Sequence, residues 1–547
     1  MSAAEPPEGT AGRESVSDRG GAAERTLQEV SAAVGESWIV EPQTLWGLID
    51  ARASATPMAR MLIDEDGREM TFVEYRAECE RVAAGFQELG VKAGTAVSWQ
   101  LPTWIESIVL VGALSRLGAV QNPILPIYRE REVGFVAEQT GAKLLIVPGE
   151  WRGFDFEAMA LSIAKDTPGL EVLVVNRGLP QDDPGRLPEY VDDPDALRWV
   201  FYTSGTTADP KGAKHTDPSV WASAYAMVLA FELVPEDRHG LVFPFTHIGG
   251  LGLLIAALIS GCSHAIVEAF VPATTIPVLT REDVTIAGAG TPFHLAYLDA
   301  QRALPAGQRL FPSARAFVGG GSAKPPQLHY DVKAELGGVG IVSGYGLTEC
   351  PILAMGSIHD TDEQLANTEG RATPGVEIKV VKLDGTIGGP GEEGELCVKG
   401  PQLCLGYLDS SLDAAAFDAE GFFKSGDLGV LDADGYVTIT GRVKDVIIRK
   451  GENISAKEVE DLLFTHPKIA DAAVIGLPDP RSGERAVAIV VPKDPADAPT
   501  LADLFEFCKA ERLMVQKIPE QLEIVDVLPR NPTGKVLKHE LRDRYSD

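Results

Sequence analysis

The sequence predicts an α/β protein: a large N-terminal domain of layered α/β subdomains, a small β subdomain, and a small α+β domain at the C-terminus. Three observations carry this. Short apolar runs of strand type alternate with helix-type stretches as far as residue 342, the rhythm of a layered α/β domain. Two of the later runs, Ala316-Phe317-Val318 and Ile341-Val342, open into glycine clusters. From about residue 374 the texture changes to brief β-type runs separated by Asp-Gly and Gly-Pro turns.

Taken in order, residues 1–36 are rich in Ala, Gly, Glu and Ser and poor in large apolar groups, so a disordered tail is expected. The large domain is expected over 37–441 and the small one over 442–547. From Thr71 the residues Phe72, Tyr75, Cys79, Val82, Phe86 and Leu89 recur three and four apart, which predicts an amphipathic helix closed by Gly90. A strand over 96–101 and an apolar helix over 105–117 follow, then strands over 144–147 and 172–175. A second α/β run carries strands over 265–267, 284–286, 316–318 and 341–342. Glycine-rich loops at the ends of such strands let a ligand approach the backbone closely, as at Gly319-Gly320-Gly321 and Gly344-Tyr345-Gly346. Runs over 376–381, 395–398 and 436–440 make the hairpin-rich β subdomain.

The chain has 547 residues, enough for more than one domain and a large core. Its formal charge of −30 excludes nucleic acid as an expected partner, because phosphates are repelled. Six scattered cysteines without a C-x-x-C pair argue against a zinc site or disulfide framework, and a reducing cytoplasm is the expected location. The most apolar stretch, 249–267, contains Ser260, Ser263 and His264 and is interrupted by Gly261, so a buried helix running into a strand is expected rather than a transmembrane segment.

The stretch with the most evident chemistry is Tyr202-Thr203-Ser204-Gly205-Thr206-Thr207-Ala208-Asp209-Pro210-Lys211-Gly212. A strand-like run enters it, hydroxyl and glycine residues follow, and an ammonium closes it. Backbone N–H groups, hydroxyls and one cation at short range are equipment for holding a polyphosphate. The Walker pattern fails here, since the lysine precedes glycine instead of following it.

This loop resembles the phosphate-binding signature of the adenylate-forming superfamily of acyl-CoA synthetases, aryl-CoA ligases, luciferases and peptide-synthetase adenylation domains. Further motifs of that family recur in its order: Gly344-Tyr345-Gly346-Leu347-Thr348-Glu349, Ser425-Gly426-Asp427-Leu428, Gly441-Arg442-Val443-Lys444-Asp445, Gly451-Glu452-Asn453-Ile454 and Pro532-Thr533-Gly534-Lys535. The resemblance covers 38–547. One departure is Ala208, where the family usually has glycine.

The resemblance implies an ATP-dependent ligase. A carboxylic acid attacks the α-phosphate of ATP to give acyl-AMP and pyrophosphate, and the thiolate of coenzyme A then displaces AMP. Thr203, Ser204, Gly205, Thr206, Thr207 and Lys211 are expected to bind the phosphates. Gly319, Gly320, Gly321, Gly344 and Tyr345 are expected at adenine, and Asp427 and Arg442 at the ribose. Lys535, Thr348 and Glu349 are the expected catalytic residues, with Glu349 also holding Mg²⁺. Lys444 is the expected hinge about which the C-terminal domain moves between the two half-reactions, and Gly451 is expected to line the coenzyme A tunnel. His247, Gly249 and Gly290 are expected around the acyl group, where small residues suggest room for a bulky or long acid. The segment Gln121-Asn122-Pro123-Ile124-Leu125-Pro126 resembles medium-chain and alicyclic ligases, and steroid-derived acids belong to the same expectation. An acyl-AMP ligase that loads a carrier protein and an inactive binding homologue are the alternative readings. A homodimer is the expected assembly.

Overall fold

The computed structural model describes residues 42–203, 210–321, 324–382, 384–449, 452–530 and 535–546. The tail expected over 1–36 lies outside them. Two sheets with parallel cores dominate the first part of the chain. The six-stranded sheet runs in the order Lys211–His215, Trp199–Thr203, Val120–Pro123, Ala96–Trp99, Leu144–Val147, Glu171–Val174. The nine-stranded sheet runs from Arg371–Ala372 through Ala354–Met355, Ile341–Tyr345, Ala316–Gly320, Ile286–Gly288, Arg238–Leu241, Ser263–Ile266 and Arg60–Ile63 to Glu69–Thr71.

The helix expected from Thr71 forms over Phe72–Glu88. Thr71 accepts from the Glu74 N–H while its own N–H donates to the Glu74 carboxylate, a reciprocal cap that satisfies donors the first turn would leave unpaired. Its residues Phe72, Tyr75, Cys79, Val82 and Phe86 are buried, as their spacing requires. The helices Ile105–Arg116 and Ile248–Ser260 are buried on nearly all sides. They share one core with residues of both sheets, among them Trp99, Ile146 and Phe201 from one and Leu62, Ile266 and Val342 from the other. That core is therefore the layer between the sheets. The apolar stretch 249–267 is accordingly a buried helix followed by the strand Ser263–Ile266, and among the described residues no helix is long and apolar enough to cross a membrane.

A fully buried arginine closes that central helix. Arg52 donates from Nε to the Leu258 carbonyl at 2.8 Å and from Nη2 to the Ile259 carbonyl at 2.6 Å. Carbonyls at a helix C-terminus carry partial negative charge and lack intrahelical donors, so a cation there answers both needs. Burial still lowers the Arg52 guanidinium to about 10. All six cysteines are free, buried thiols.

Beyond residue 376 an antiparallel sheet forms in the order Glu377–Val381, Gly394–Lys399, Phe423–Leu431, Val437–Arg442. The sequence expectation lacked its third strand, so Asp427 lies within a strand. A short turn over Val443–Asp445 leads from Arg442 into the C-terminal five-stranded sheet, which begins with Val446–Arg449. That sheet packs its own core of Ile447, Val459, Leu463, Val474, Ala488 and Leu504. The strands expected to break at glycine instead continue through it. Gly319 pairs with Ser343 and Gly320 with Gly344, because residues without Cβ let the two parallel strands stay in register to Tyr345.

Candidate active site

Where the C-terminal sheet faces the ends of the nine-stranded sheet, a cleft of about 290 Å³ opens. Gly321, Gly344 and Tyr345 reach it from the strand ends, Asp427 and Arg442 from the β subdomain, and Lys535 from the last segment of the chain. Gly321 has φ +72°, a left-handed conformation that glycine adopts at no steric cost, and it turns the chain out of the strand at the rim. Gly319 and Gly320 are strand residues behind that rim.

Asp427 is the electrostatic centre of this wall. It sits directly opposite Arg442 across an antiparallel pair, so both side chains project on one face. The Arg442 Nε–H donates to Oδ1, and the Tyr345 hydroxyl donates to Oδ2 at 2.8 Å. Burial alone would lower the Arg442 guanidinium, but Asp427, with Asp445 and Tyr345, together more than offset it and the net shift is upward. Burial, reinforced by Asp427, raises the Tyr345 phenol well above its ordinary value, so it stays a donor. Burial pushes the Lys535 ammonium down to about 8, helped by Arg442 and Lys444 and opposed by Asp427 and Asp445. Lys444 is lowered by burial and by Arg442. Asp445 is held below its usual range by Lys538 and Arg542 despite its burial, and it pairs with Arg542 at 2.6 Å. Among the described residues the cleft thus sets seven Lys and Arg side chains among six carboxylates, a local balance close to neutral inside a chain whose overall charge is −30.

The flanks of the loop expected to bind phosphate are fixed by a backbone ladder. Thr203 ends one strand and Lys211 begins the next, and the two residues are direct antiparallel partners. Ser204, Gly205, Thr206 and Thr207 lie outside the described residues, as do Ala208 and Gly451. The Lys211 Nζ stands 5.3 Å from the ring centroid of Tyr407. The Tyr407 hydroxyl donates at 2.6 Å to Oε1 of Glu349, whose side chain is buried. Tyr407 therefore links the loop's cation to the carboxylate expected at the metal. The sequence reading missed it, for a lone tyrosine after Gly406 carries no motif. Thr348 is anchored through its carbonyl, which accepts from His215 Nε2 at 2.9 Å; burial lowers that imidazole to about 4 and keeps it neutral. A carboxylate oriented by a phenol suits Mg²⁺, which binds through one or two protein carboxylates plus substrate phosphates. Among the described residues no cluster of three or more His, Cys, Asp or Glu forms a dedicated metal cage, so the metal reading rests on Glu349.

His247 lies elsewhere, on a separate cavity of about 20 Å³ lined by Tyr128, Phe201, Thr246, Ile248 and Thr348 among others. Its Nδ1 accepts from the Gly249 N–H at 3.1 Å and caps the helix Ile248–Ser260, while burial lowers the imidazole to about 4. Neither Gly249 nor Gly290 borders this cavity. Gly290 precedes the helix Thr291–Arg302, whose Thr291 reaches the larger cleft. At about 20 Å³ the cavity is too small for a bulky acid, and Gly249 and Gly290, the small residues expected around the acyl group, do not line it. Cleft and cavity nevertheless adjoin in the chain: Leu347 lines the first and Thr348 the second.

Two family models match this chain: AMP-binding enzyme over residues 49–408, and AMP-binding enzyme C-terminal domain over 458–535. The chain is 33% identical over 522 residues to the medium-chain fatty-acid–CoA ligase of Escherichia coli strain K12, covering 91% of each. It is 30% identical over 508 residues to the 2,3-dihydroxybenzoate-AMP ligase of Bacillus subtilis strain 168, covering 89% of this chain and 91% of that one. Its fold matches that of the O-succinylbenzoate coenzyme A synthetase of Bacillus subtilis in complex with ATP and magnesium ion. That match has a TM-score of 0.78 at 29% identity and covers 91% of this chain and 99% of the other.

Proposed function

The chain belongs to the AMP-binding enzyme family of adenylate-forming ligases, and from that membership we propose that it is an acyl-CoA ligase working in two half-reactions. In the first, a carboxylate oxygen of the acid attacks the α-phosphorus of ATP. The bond from that phosphorus to the bridging oxygen breaks, and acyl-AMP and pyrophosphate result. In the second, the thiolate of coenzyme A attacks the acyl carbonyl and the bond to AMP breaks, leaving a thioester.

The observation that carries this reading is the cleft in which Lys535, from the end of the chain, meets Asp427, Arg442 and Tyr345. Tyr345 offers a ring for adenine and Asp427 a carboxylate for the ribose hydroxyls. Arg442 holds that carboxylate in place. Lys535 carries the charge that the crowded first step demands, stabilising the oxygens between acid and α-phosphate. Lys211 and Thr203 flank the phosphates, and Thr348 adds a hydroxyl donor. Glu349, oriented by the Tyr407 hydroxyl, would hold Mg²⁺ brought with the nucleotide, which would supply charge neutralisation to the phosphates. Lys444 lies in the short turn between Arg442 and the C-terminal sheet, where a rotation would carry Lys535 away and present the segment around Gly451 to coenzyme A.

The substrate proposed is a carboxylic acid of the medium-chain, long-chain, alicyclic or steroid-derived kinds, the medium-chain and alicyclic ones being those that the segment 121–126 suggests. Loading of a carrier protein is the second reading, favoured by the relative named for 2,3-dihydroxybenzoate-AMP ligation. Pyrophosphate release measured over a wide acid panel, with and without coenzyme A, tests both. Thioester formation with free coenzyme A supports the first, and accumulation of acyl-AMP in its presence supports the second. Release of ADP, or no nucleotide cleavage with any acid, refutes the ligase reading.

A further inference from the structure

The cavity beside Thr348 has a chemistry unlike that of the cleft. Among the described residues none of its lining side chains is charged. Apolar groups, among them Ile124, Val136, Phe201 and Ile248, make most of its wall. Four hydroxyl-bearing residues interrupt it, Tyr128, Tyr202, Thr246 and Thr348, and the Tyr202 hydroxyl donates to Gln139 Oε1 at 2.9 Å. Tyr128 Oη and Thr246 Oγ1 are both shut off from solvent, and neither finds a hydrogen-bond partner. Thr246 as a whole is only 2% exposed. Buried hydroxyls are almost always paired, since leaving one unpaired costs about 1–3 kcal/mol. Two on one small cavity call for a guest.

The chemistry of that guest follows from the donors. Burial raises the Tyr128 phenol to about 12, so it keeps its proton. His247 accepts through Nδ1 from the Gly249 N–H, which leaves the proton of its neutral ring on Nε2. Phenol, hydroxyl and imidazole N–H are all donors, and an oxygen acceptor would suit them. An anion would not: with no cation on the wall, a buried carboxylate would lose its solvation uncompensated. The reacting carboxylate belongs with the cations of the cleft, and the cavity suits a neutral part of the same molecule.

Resting on the acyl-CoA ligase reading above, we propose that the acid carries a hydroxyl or oxo group besides its carboxylate, and that Tyr128 and Thr246 select for it by hydrogen bonding. An unsubstituted alkyl chain would leave both hydroxyls unpaired, and a site built to hydrogen-bond a substrate oxygen discriminates strongly against an analogue lacking it. The volume of about 20 Å³ is close to what one water-sized group requires, which fits a single oxygen function and not a long tail.

The test uses the full-length protein and pairs of acids that differ only by one hydroxyl or oxo group, with kcat/KM read from pyrophosphate release. The wild-type protein is expected to favour the best oxygenated acid over its alkyl partner by about a hundredfold, at roughly tenfold for each neutral hydrogen bond. Tyr128→Phe and Thr246→Val, which keep size and shape, are each expected to shrink that ratio by about tenfold. Equal kcat/KM within every pair overturns the proposal and leaves the ligase reading standing. A wild-type preference that neither variant diminishes also overturns it, for the oxygen is then read elsewhere. Failure to release pyrophosphate with any acid sinks the ligase reading and this proposal with it.

Discussion

The first half-reaction should carry a basic limb that belongs to Lys535. Burial, with Arg442 and Lys444 close by, brings this ammonium down to about 8. A lysine with a lowered value gives up its proton as pH rises through that value. The cationic fraction therefore falls from about 0.9 at pH 7 to about 0.1 at pH 9, against nearly full charge for an ordinary lysine. If the cation stabilises the transition state, acyl-AMP formation should slow by roughly tenfold over that interval. The assay is the second-order rate of single-turnover pyrophosphate release at subsaturating ATP, which reports ionisation of the free protein, without coenzyme A so that the thiol of the second step does not contribute. Lys535→Arg stays charged throughout, and whatever rate it retains should show no such limb. Asp427→Asn removes the carboxylate that opposes the downward shift, and should move the limb to lower pH by about one unit. Lys535→Ala should abolish the step while sparing thioester formation from supplied acyl-AMP. A wild-type rate that is flat from pH 7 to 9, or a limb that persists in Lys535→Arg, refutes the argument.

Three further outcomes are expected. Lys444→Pro fixes one φ in the turn Val443–Asp445 and disfavours the local geometry of Val443, so one half-reaction should fall at least about tenfold relative to the other; equal rates in separate assays would move the hinge elsewhere. Tyr407→Phe leaves Glu349 without the phenol that orients it, and the Mg²⁺ concentration for half-maximal pyrophosphate release should rise by about three- to tenfold; an unchanged requirement contradicts the link. In Gly346→Ala the new methyl would meet the Ile352 amide nitrogen at 2.3 Å and the Pro351 carbonyl carbon at 3.0 Å, both backbone atoms, so a loss of about 1–3 kcal/mol should lower the midpoint of thermal unfolding; an unchanged midpoint shows that the loop yields freely.

Much of the fold can be read from local pattern. The alternation of strand and helix types, the cap at Thr71 and the burial of the helix Ile248–Ser260 are properties of neighbouring residues, and neighbouring residues are what a sequence displays. The strand Phe423–Leu431 escaped because Lys424, Ser425, Gly426 and Asp427 interrupt its apolar pattern, and pairing on both edges stabilises it instead. The site divides in the same way. Motifs named Asp427, Arg442, Tyr345 and Lys535 one at a time, but their meeting is a fact of topology. Tyr407 and the hydroxyls of Tyr128 and Thr246 could not be singled out, since each acts through a partner, or the want of one, that only packing reveals. His247 was named from its place in the family pattern at the wall of an acyl cavity, and the structure sets it on a cavity while also giving it a role the pattern did not show, capping the helix Ile248–Ser260.

The ladder beneath the phosphate loop bears on how this protein could be altered. Five consecutive pairings, from Thr203 with Lys211 to Trp199 with His215, bolt the two strands together at the base of the loop. The ammonium that closes the loop takes its station from that rail and not from the residues spanning it. Rewriting the span, even at Ala208, would thus leave the cation's mounting undisturbed, whereas slipping the rail by a single notch would turn Lys211 to the opposite side of the sheet.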